Sequence, residues 1–310
     1  VFVIDKLSYA ANQSYINVDY YRNNRVRVYK RDISQDCDII NQILTHNDIE
    51  GIFHFAAESH VDRSITGPGV FIDTNVSGTL VMLQAAKDAG VRRFLQVSTD
   101  EVYGSLGPRG LFSENSPIQP NSPYSASKAS ADHLARAFHH TYGMDTVITR
   151  CSNNYGPYQF PEKMMPLMIN NARHDKTLPV YGDGLQIRDW LYVRDHCTAI
   201  WAAYERGVAG EVYNIGGNSE KTNIAVIRDI LGQLGKPESL ITYVTDRLGH
   251  DRRYAIDASK AKRELGWEPS VTFEDGLRQT LEWYAANTEW MDSVTSGDYT
   301  GYYERMYERR

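Results

Sequence analysis

Tyr124 and Lys128 stand four positions apart in Tyr124-Ser125-Ala126-Ser127-Lys128. On a helix, positions i and i+4 share a face, so the phenol and the ammonium can point into one cleft. A free tyrosine ionises near pH ~10, too high for an efficient base at neutral pH, and a nearby lysine cation favours the phenolate. The spacing alone is cheap in a chain with 21 tyrosines. It gains weight because it opens a helical stretch one strand after Ser98 and Thr99, whose hydroxyls can meet the same substrate atom. Thr99 leads into Asp100-Glu101. Adjacent acids on a loop are commonly a solvated turn, but beside a Tyr/Lys pair they can supply one proton donor and one proton acceptor, as elimination of water requires.

Such groups need a scaffold, and the first half of the chain reads as one. Val1 to Ile4, Val26 to Tyr29, Gly51 to Ala57, Phe94 to Thr99 and Thr146 to Arg150 are continuous apolar runs of the kind found in strands buried on both faces. Between them Ser34 to His46, Val70 to Ala89 and Tyr124 to Tyr142 carry apolar residues at helical spacing. Alternating strands and helices predict an α/β chain with a Rossmann-type, doubly wound parallel sheet. After Asn153 the strands shorten, Pro and Gly become frequent, and a smaller mixed α/β lobe is expected. The division is 1–152 for a dinucleotide-binding domain and 153–310 for a substrate lobe, with some segments returning to the first domain. The Tyr-rich, charged tail from Asp298 to Arg310 reads as an ordered lid or a frayed terminus.

Ligands of open parallel sheets gather at the carboxyl ends of the strands. Four such ends are polar here: Asp5, Asp32, Ala56-Ala57-Glu58-Ser59 and Ser98-Thr99-Asp100-Glu101. A single acid at a strand end is more often a turn or cap residue, and it is the recurrence that carries weight. In the second half, Asn153, Lys163, Arg188, Asn223, Arg247 and His250 supply amides and cations, and arginine forks suit phosphate geometry. Trp190 reads as core, and Cys151 and Cys197 as small buried apolar residues.

Composition removes several classes. With 23% charged and 42% hydrophobic residues and a mean hydropathy of −0.48, the 310-residue chain is neither disordered nor fibrous. No apolar run approaches a membrane span and no secretory leader is present, so a cytoplasmic protein is expected. The net charge of −6 argues against a nucleic-acid surface. Three scattered cysteines without CxxC spacing, and no HExxH, argue against a disulfide framework or a metal site.

Together these residues resemble the nucleotide-sugar branch of the extended short-chain dehydrogenase/reductases, and within it the dTDP-glucose 4,6-dehydratases. The resemblance runs from Val1 to about Trp283. It rests on Asp5-Lys6-Leu7-Ser8-Tyr9-Ala10, Phe55 through Ser64, Ser98 through Gly104, Tyr124 through Lys128 and Arg150 through Lys163. Further on it rests on Gly182-Asp183-Gly184, Arg188-Asp189-Trp190, Asp246-Arg247 and Gly249-His250-Asp251. One departure is large. The family opens with a strand and a glycine-rich turn that offers backbone N–H groups to the cofactor pyrophosphate, and neither GxGxxG nor GxxGxxG occurs before Asp5. The expectation is that a strand, glycine turn and helix of about 25–35 residues belong ahead of Val1.

The resemblance implies an internal redox cycle with NAD as cofactor and dTDP-glucose as substrate. Tyr124, assisted by Lys128, takes the proton of the sugar C4 hydroxyl as hydride leaves C4, and Thr99 bonds the same oxygen. Glu101 removes the C5 proton, Asp100 protonates the departing C6 hydroxyl, and hydride returns to C6. Asp5, Lys6, Asp32, Ile33, Ala56, Ala57, Ser98, Tyr124, Lys128 and Cys151 are implied to line the NAD channel. Glu58, Ser59, Asn153 and Lys163 face the sugar and phosphates, and Arg188, Asn223, Arg247 and His250 the diphosphate and nucleoside. A homodimer paired through the Tyr/Lys helix is also implied, as is deoxysugar biosynthesis such as that of rhamnose. Competing readings are a nucleotide-sugar 4-epimerase, which shares Tyr124 and Lys128 but needs no C5–C6 acid/base pair, a dehydratase of UDP- or CDP-glucose, and a non-catalytic dinucleotide-binding module.

Overall fold

Phe94, Leu95, Val147 and Ile148 are wholly or almost wholly buried, as strands covered on both faces require. In the computed structural model, which describes residues 1–11, 25–296 and 298–303, they belong to β4 (Arg93–Thr99) and β5 (Thr146–Cys151). The four-stranded sheet has the order β3-β4-β5-β9, with β3 at Gly51–His54 and β9 at Val212–Ile215. β3 and β4 run parallel with Gly51 opposite Arg93, and β1 (Phe2–Asp5) pairs in parallel with β2 (Arg27–Lys30). The fold is therefore the α/β type with a parallel sheet expected from the alternation of elements.

The chain divides into two compact units. The first comprises Val1–Val102, Ile118–Arg150 and Ile200–Tyr213, and the second Tyr103–Pro117, Cys151–Ala199 and Asn214–Arg310. In the first, Ile40 and Leu44 of α1 (Cys37–His46) pack with Met82 and Leu83 in one core that also holds Phe94, Phe138 and Ile148. The second is built on the three-stranded sheet β10-β8-β6, from Glu220–Thr222, Ile187–Tyr192 and Asn153–Tyr155, and on the parallel pair of β7 (Leu178–Tyr181) with β11 (Ile241–Val244). Its core gathers Tyr155, Met165, Trp190, Ile227, Leu277 and Tyr284, so Trp190 packs as expected.

Four expectations need correction. The runs at Val1 to Ile4 and Val26 to Tyr29 form strands that are half-buried to exposed rather than covered on both faces, since β1 and β2 pair only with each other among the described residues. The third strand stops at His54 rather than Ala57; the next residues leave the sheet because the backbone of Glu58 is claimed by a side chain described below. The helix expected over Val70 to Ala89 is interrupted: Gly69–Phe71 and Thr79–Asp88 are α-helical, but Ile72–Gly78 between them is a π-helix. Cys197 is exposed and Cys151 half-buried, so neither is sealed in a core. Of the tail, Asp298–Tyr303 is helical and residues 304–310 lie outside the described part. No described helix is long and apolar enough to cross a membrane.

The Tyr/Lys helix, Pro123–Tyr142, starts and stops for local reasons. Ser122 and Ser125 cap each other reciprocally, each hydroxyl accepting the other's backbone N–H at 3.0 Å, with Pro123 in the first turn. Gly143 ends the helix at φ 67°, a conformation that favours glycine. A buried ion pair then ties this helix to β5, with Arg150 Nε 2.9 Å from Asp132 Oδ2. Removing one partner of such a pair strands the other charge in the core. Asp132→Ala is expected to lower the unfolding free energy by about 3–5 kcal/mol, measured by urea denaturation; a loss below about 1 kcal/mol would mean that water or a neighbour takes over Arg150.

Candidate active site

The expected residues fall into two groups, one in each unit. In the first unit, Lys128 is 5% exposed and its Nζ donates to the carbonyl of Val97 at 2.7 Å. That contact sets the first turns of the Tyr/Lys helix against the carboxyl end of β4, where Ser98 and Thr99 lie. Tyr124, itself buried, sits edge-on to Phe71 with ring centroids 6.3 Å apart. Beyond Thr99 the chain closes into a 3₁₀ turn, Asp100–Tyr103. Thr99 Oγ1 accepts the N–H of Glu101 at 3.2 Å and lies 3.4 Å from Asp100 Oδ1. Asp100 is 1% exposed and Glu101 half-buried, so the two acids occupy different surroundings.

Sequence reasoning missed the residue that joins these pieces. Asn75, 1% exposed and inside the π-helical stretch, accepts the N–H of Glu58 on Oδ1 at 2.8 Å. Its Nδ2 donates to the Glu58 carbonyl at 2.9 Å and to Ser127 Oγ at 2.8 Å. One amide thereby holds the loop after β3 to the Tyr/Lys helix between Tyr124 and Lys128. A polar residue in the middle of an apolar helical pattern was the available signal. Thr79 Oγ1 donates to the Asn75 carbonyl at 2.7 Å and lies 3.0 Å from Nε2 of the buried His54.

Residues expected on the cofactor side also lie at or just beyond strand ends. Asp5 is exposed at the end of β1, with Oδ1 accepting the Leu7 N–H at 2.6 Å. Asp32 accepts the N–H and hydroxyl of Ser34 and pairs with Lys6 at 2.8 Å, and this pairing raises the pKa of the Lys6 ammonium. Ile33 is buried, and a Cβ on Gly78 would come within 2.7 Å of its Cδ1, so a larger residue there would have to push the Ile33 side chain aside. Ala56 and Ala57 follow β3 half-buried, while Ser59 is exposed. This donor set fits a dinucleotide: an exposed carboxylate at a strand end can accept from a ribose diol.

In the second unit, Asn153 opens β6 and its buried Oδ1 has no hydrogen-bond partner among the described residues. Cys151 Sγ lies 3.4 Å from Asn154 Nδ2. Lys163 is the N-cap of the helix Met164–Arg173, and Asn223 begins the helix Asn223–Leu234. Arg188 is buried, donates to the carbonyls of Ile187 and Asp251 at 2.8 and 2.9 Å, and lies over the Tyr254 ring at 4.3 Å. Arg247 and His250 share one loop, organised by Asp246, a residue that sequence reasoning left out of the site.

A family model for GDP-mannose 4,6 dehydratase matches residues 1–280. The dTDP-glucose 4,6-dehydratase of Xanthomonas campestris pv. campestris is 52% identical over 96% of this chain and 89% of its own length. An Escherichia coli K12 relative, dTDP-glucose 4,6-dehydratase 1, is 49% identical over 99% and 91%. The chain belongs to the dTDP-glucose 4,6-dehydratase family. Among solved structures, a family member from Streptomyces venezuelae with NAD and TYD bound matches with a TM-score of 0.92 and 49% identity, covering 95% of this chain and 90% of that one. A UDP-glucose 4-epimerase from Thermotoga maritima with UDP-glucose shares the fold at a TM-score of 0.86 and 29% identity, over 93% and 91%.

Beneath the site, burial drives the His54 pKa down to about 3, and the Lys128 cation pushes it the same way. The unfolded chain protonates this histidine near 6.5 while the folded chain resists until about 3. The unfolded state therefore binds the extra proton in that window, and stability falls as pH drops below 6.5. The expected slope is about 1.4 kcal/mol per pH unit per such histidine. Urea denaturation at pH 7 and pH 5 checks it: His54→Asn should flatten the dependence, and an unchanged slope would remove His54 from the linkage.

Proposed function

We propose that this chain converts dTDP-glucose to dTDP-4-dehydro-6-deoxyglucose by NAD-dependent loss of water. The carrying observation is the Lys128 to Val97 contact, which joins the Tyr124 turn to the strand end bearing Thr99, Asp100 and Glu101, in a chain about half identical to curated dTDP-glucose 4,6-dehydratases. NAD, when bound, supplies the acceptor and later the donor of the electron pair for oxidation at sugar C4 and reduction at C6. Asp5, Lys6, Asp32, Ile33, Ala56, Ala57, Ser98, Tyr124, Lys128 and Cys151 would hold it.

Tyr124 takes the proton of the C4 hydroxyl, and the Lys128 ammonium favours its phenolate. Thr99 bonds the same oxygen and fixes its approach. The C4 ketone acidifies the C5 hydrogen, which Glu101, the more accessible acid, removes. Asp100, the carboxyl withdrawn from water, is the one suited to keep its proton and hand it to the departing C6 hydroxyl. Glu58, Ser59, Asn153 and Lys163 bind the sugar and phosphates, and Arg188, Asn223, Arg247 and His250 the diphosphate and nucleoside. Residues 1–152 then serve mainly the cofactor and 153–310 the nucleotide sugar.

An epimerase would share Tyr124, Lys128 and the fold, but it has no use for Asp100 beside Glu101. Two copies pairing through the Tyr/Lys helix fit the exposed Val70, Ile72 and Leu80 on the neighbouring helical segment. Three free cysteines suit a reducing cytoplasm, where the product would feed deoxysugar assembly such as that of rhamnose.

Turnover in deuterated water should place solvent deuterium at C5 of the product. Glu101→Gln is expected to lower overall turnover about 10²–10⁴-fold and to abolish C5 exchange while sugar oxidation at C4 persists; unimpaired exchange would remove Glu101 as the base. Side-by-side turnover of dTDP-, UDP- and CDP-glucose tests the nucleotide, and faster turnover of either analogue would overturn the thymidine assignment.

A further inference from the structure

The loop carrying Arg247 and His250 is organised around one carboxylate. Asp246 Oδ1 accepts the backbone N–H of Arg247 at 2.7 Å and faces His250 Nδ1 at 2.6 Å. Its Oδ2 accepts from Gln186 Nε2 at 3.0 Å, and Gln186 is 2% exposed. The backbone makes room for it: Gly182 has φ 57°, and a Cβ there would stand 2.7 Å from Asp246 Oδ2. Burial pushes the Asp246 carboxyl up, but the His250 hydrogen bond and the Arg247 N–H outweigh it and draw its pKa below the usual carboxylate range, so it is an ionised acceptor.

An ionised carboxylate only accepts, so Nδ1 of His250 must carry the hydrogen between them. Burial, the Arg247 cation and, more weakly, Arg188 push the His250 pKa down to about 4, against the opposing pull of Asp246. At neutral pH the ring is therefore uncharged, and Nε2 holds a lone pair. Nε2 has no hydrogen-bond partner among the described residues. The T-shaped contact with Tyr181, ring centroids 6.1 Å apart, fixes the ring plane.

We propose that Asp246 is a positioning residue that locks His250 in its Nδ1–H form, so that Nε2 accepts a hydrogen bond from a hydroxyl or N–H of the nucleotide. The proposal rests on the nucleotide-sugar reading of this loop. It divides the labour between neighbours: a neutral ring with a lone pair repels phosphate oxygens, which leaves them to Arg247, whose buried Nε lacks a protein partner among the described residues. His250 then discriminates by hydrogen-bond polarity and contributes no charge. Two donors carry this chemistry, the imide N–H of the base and a sugar hydroxyl.

The test is ¹⁵N-histidine NMR of the full-length protein, with the His250 signal assigned by its absence in His250→Gln. The expected spectrum at pH 7 has a pyrrole-type Nδ1 and a pyridine-type Nε2; a protonated Nε2 overturns the proposal without touching the nucleotide reading. Adding dTDP should move the Nε2 resonance in the direction of an accepted hydrogen bond. A shift that persists with CDP, which lacks the imide N–H, supports the proposal with a sugar hydroxyl as donor, and one lost with CDP supports it with the base as donor. Binding of dTDP with no movement of Nε2 overturns the proposal alone, whereas no binding of dTDP at all overturns the nucleotide reading. Asp246→Asn should weaken dTDP about tenfold and raise KM with kcat within about twofold; a fall in kcat at constant KM would overturn the positioning role.

Discussion

The hydrogen bond from Lys128 Nζ to the Val97 carbonyl, 2.7 Å long and largely out of water, is the contact on which the placement of the Tyr/Lys helix against β4 depends. A buried ammonium is costly unless its donors are satisfied, so its position is closely determined. By reaching β4 one residue before Ser98, it fixes the rotation of the Tyr/Lys helix about its axis. That rotation decides where Tyr124 sits relative to Thr99 and the acid pair. The same cation helps to keep the buried His54 of β3 neutral.

The π-helical turn answers to a related demand. A regular α-helix over residues 69–88 would satisfy its own backbone, but Asn75 has to meet both backbone groups of Glu58 and the hydroxyl of Ser127 at once. Widening Ile72–Gly78 loosens the local ladder, and Thr79 repairs part of it by donating to the Asn75 carbonyl. A departure from regular helix at this place is compensated by side-chain hydrogen bonds, as is common beside functional sites.

The second unit solves its own problem with a carboxylate. Asp246 gathers Arg247, His250 and Gln186, while Asp183 takes Arg252 at 2.8 Å. Two acids thus hold the loop 245–252 to the turn after β7. Neighbouring cations repel one another, and acids placed beside them steady them.

Much of this architecture is legible in local residue patterns. Continuous apolar runs announced the strands, of which β4 and β5 are buried while β1 and β2 are half-buried to exposed, and apolar residues at helical spacing announced the Tyr/Lys helix. These are local properties, legible because side-chain period, caps and left-handed turns act within a few residues. The contacts that join distant segments come from packing alone: the Asn75 amide 17 residues from Glu58 and 52 from Ser127, the Lys128 reach to Val97, and the Gln186 amide 60 residues from Asp246. No periodicity encodes such pairs, because a hydrogen bond between separate segments exists only after the core has placed them within about 3 Å of each other.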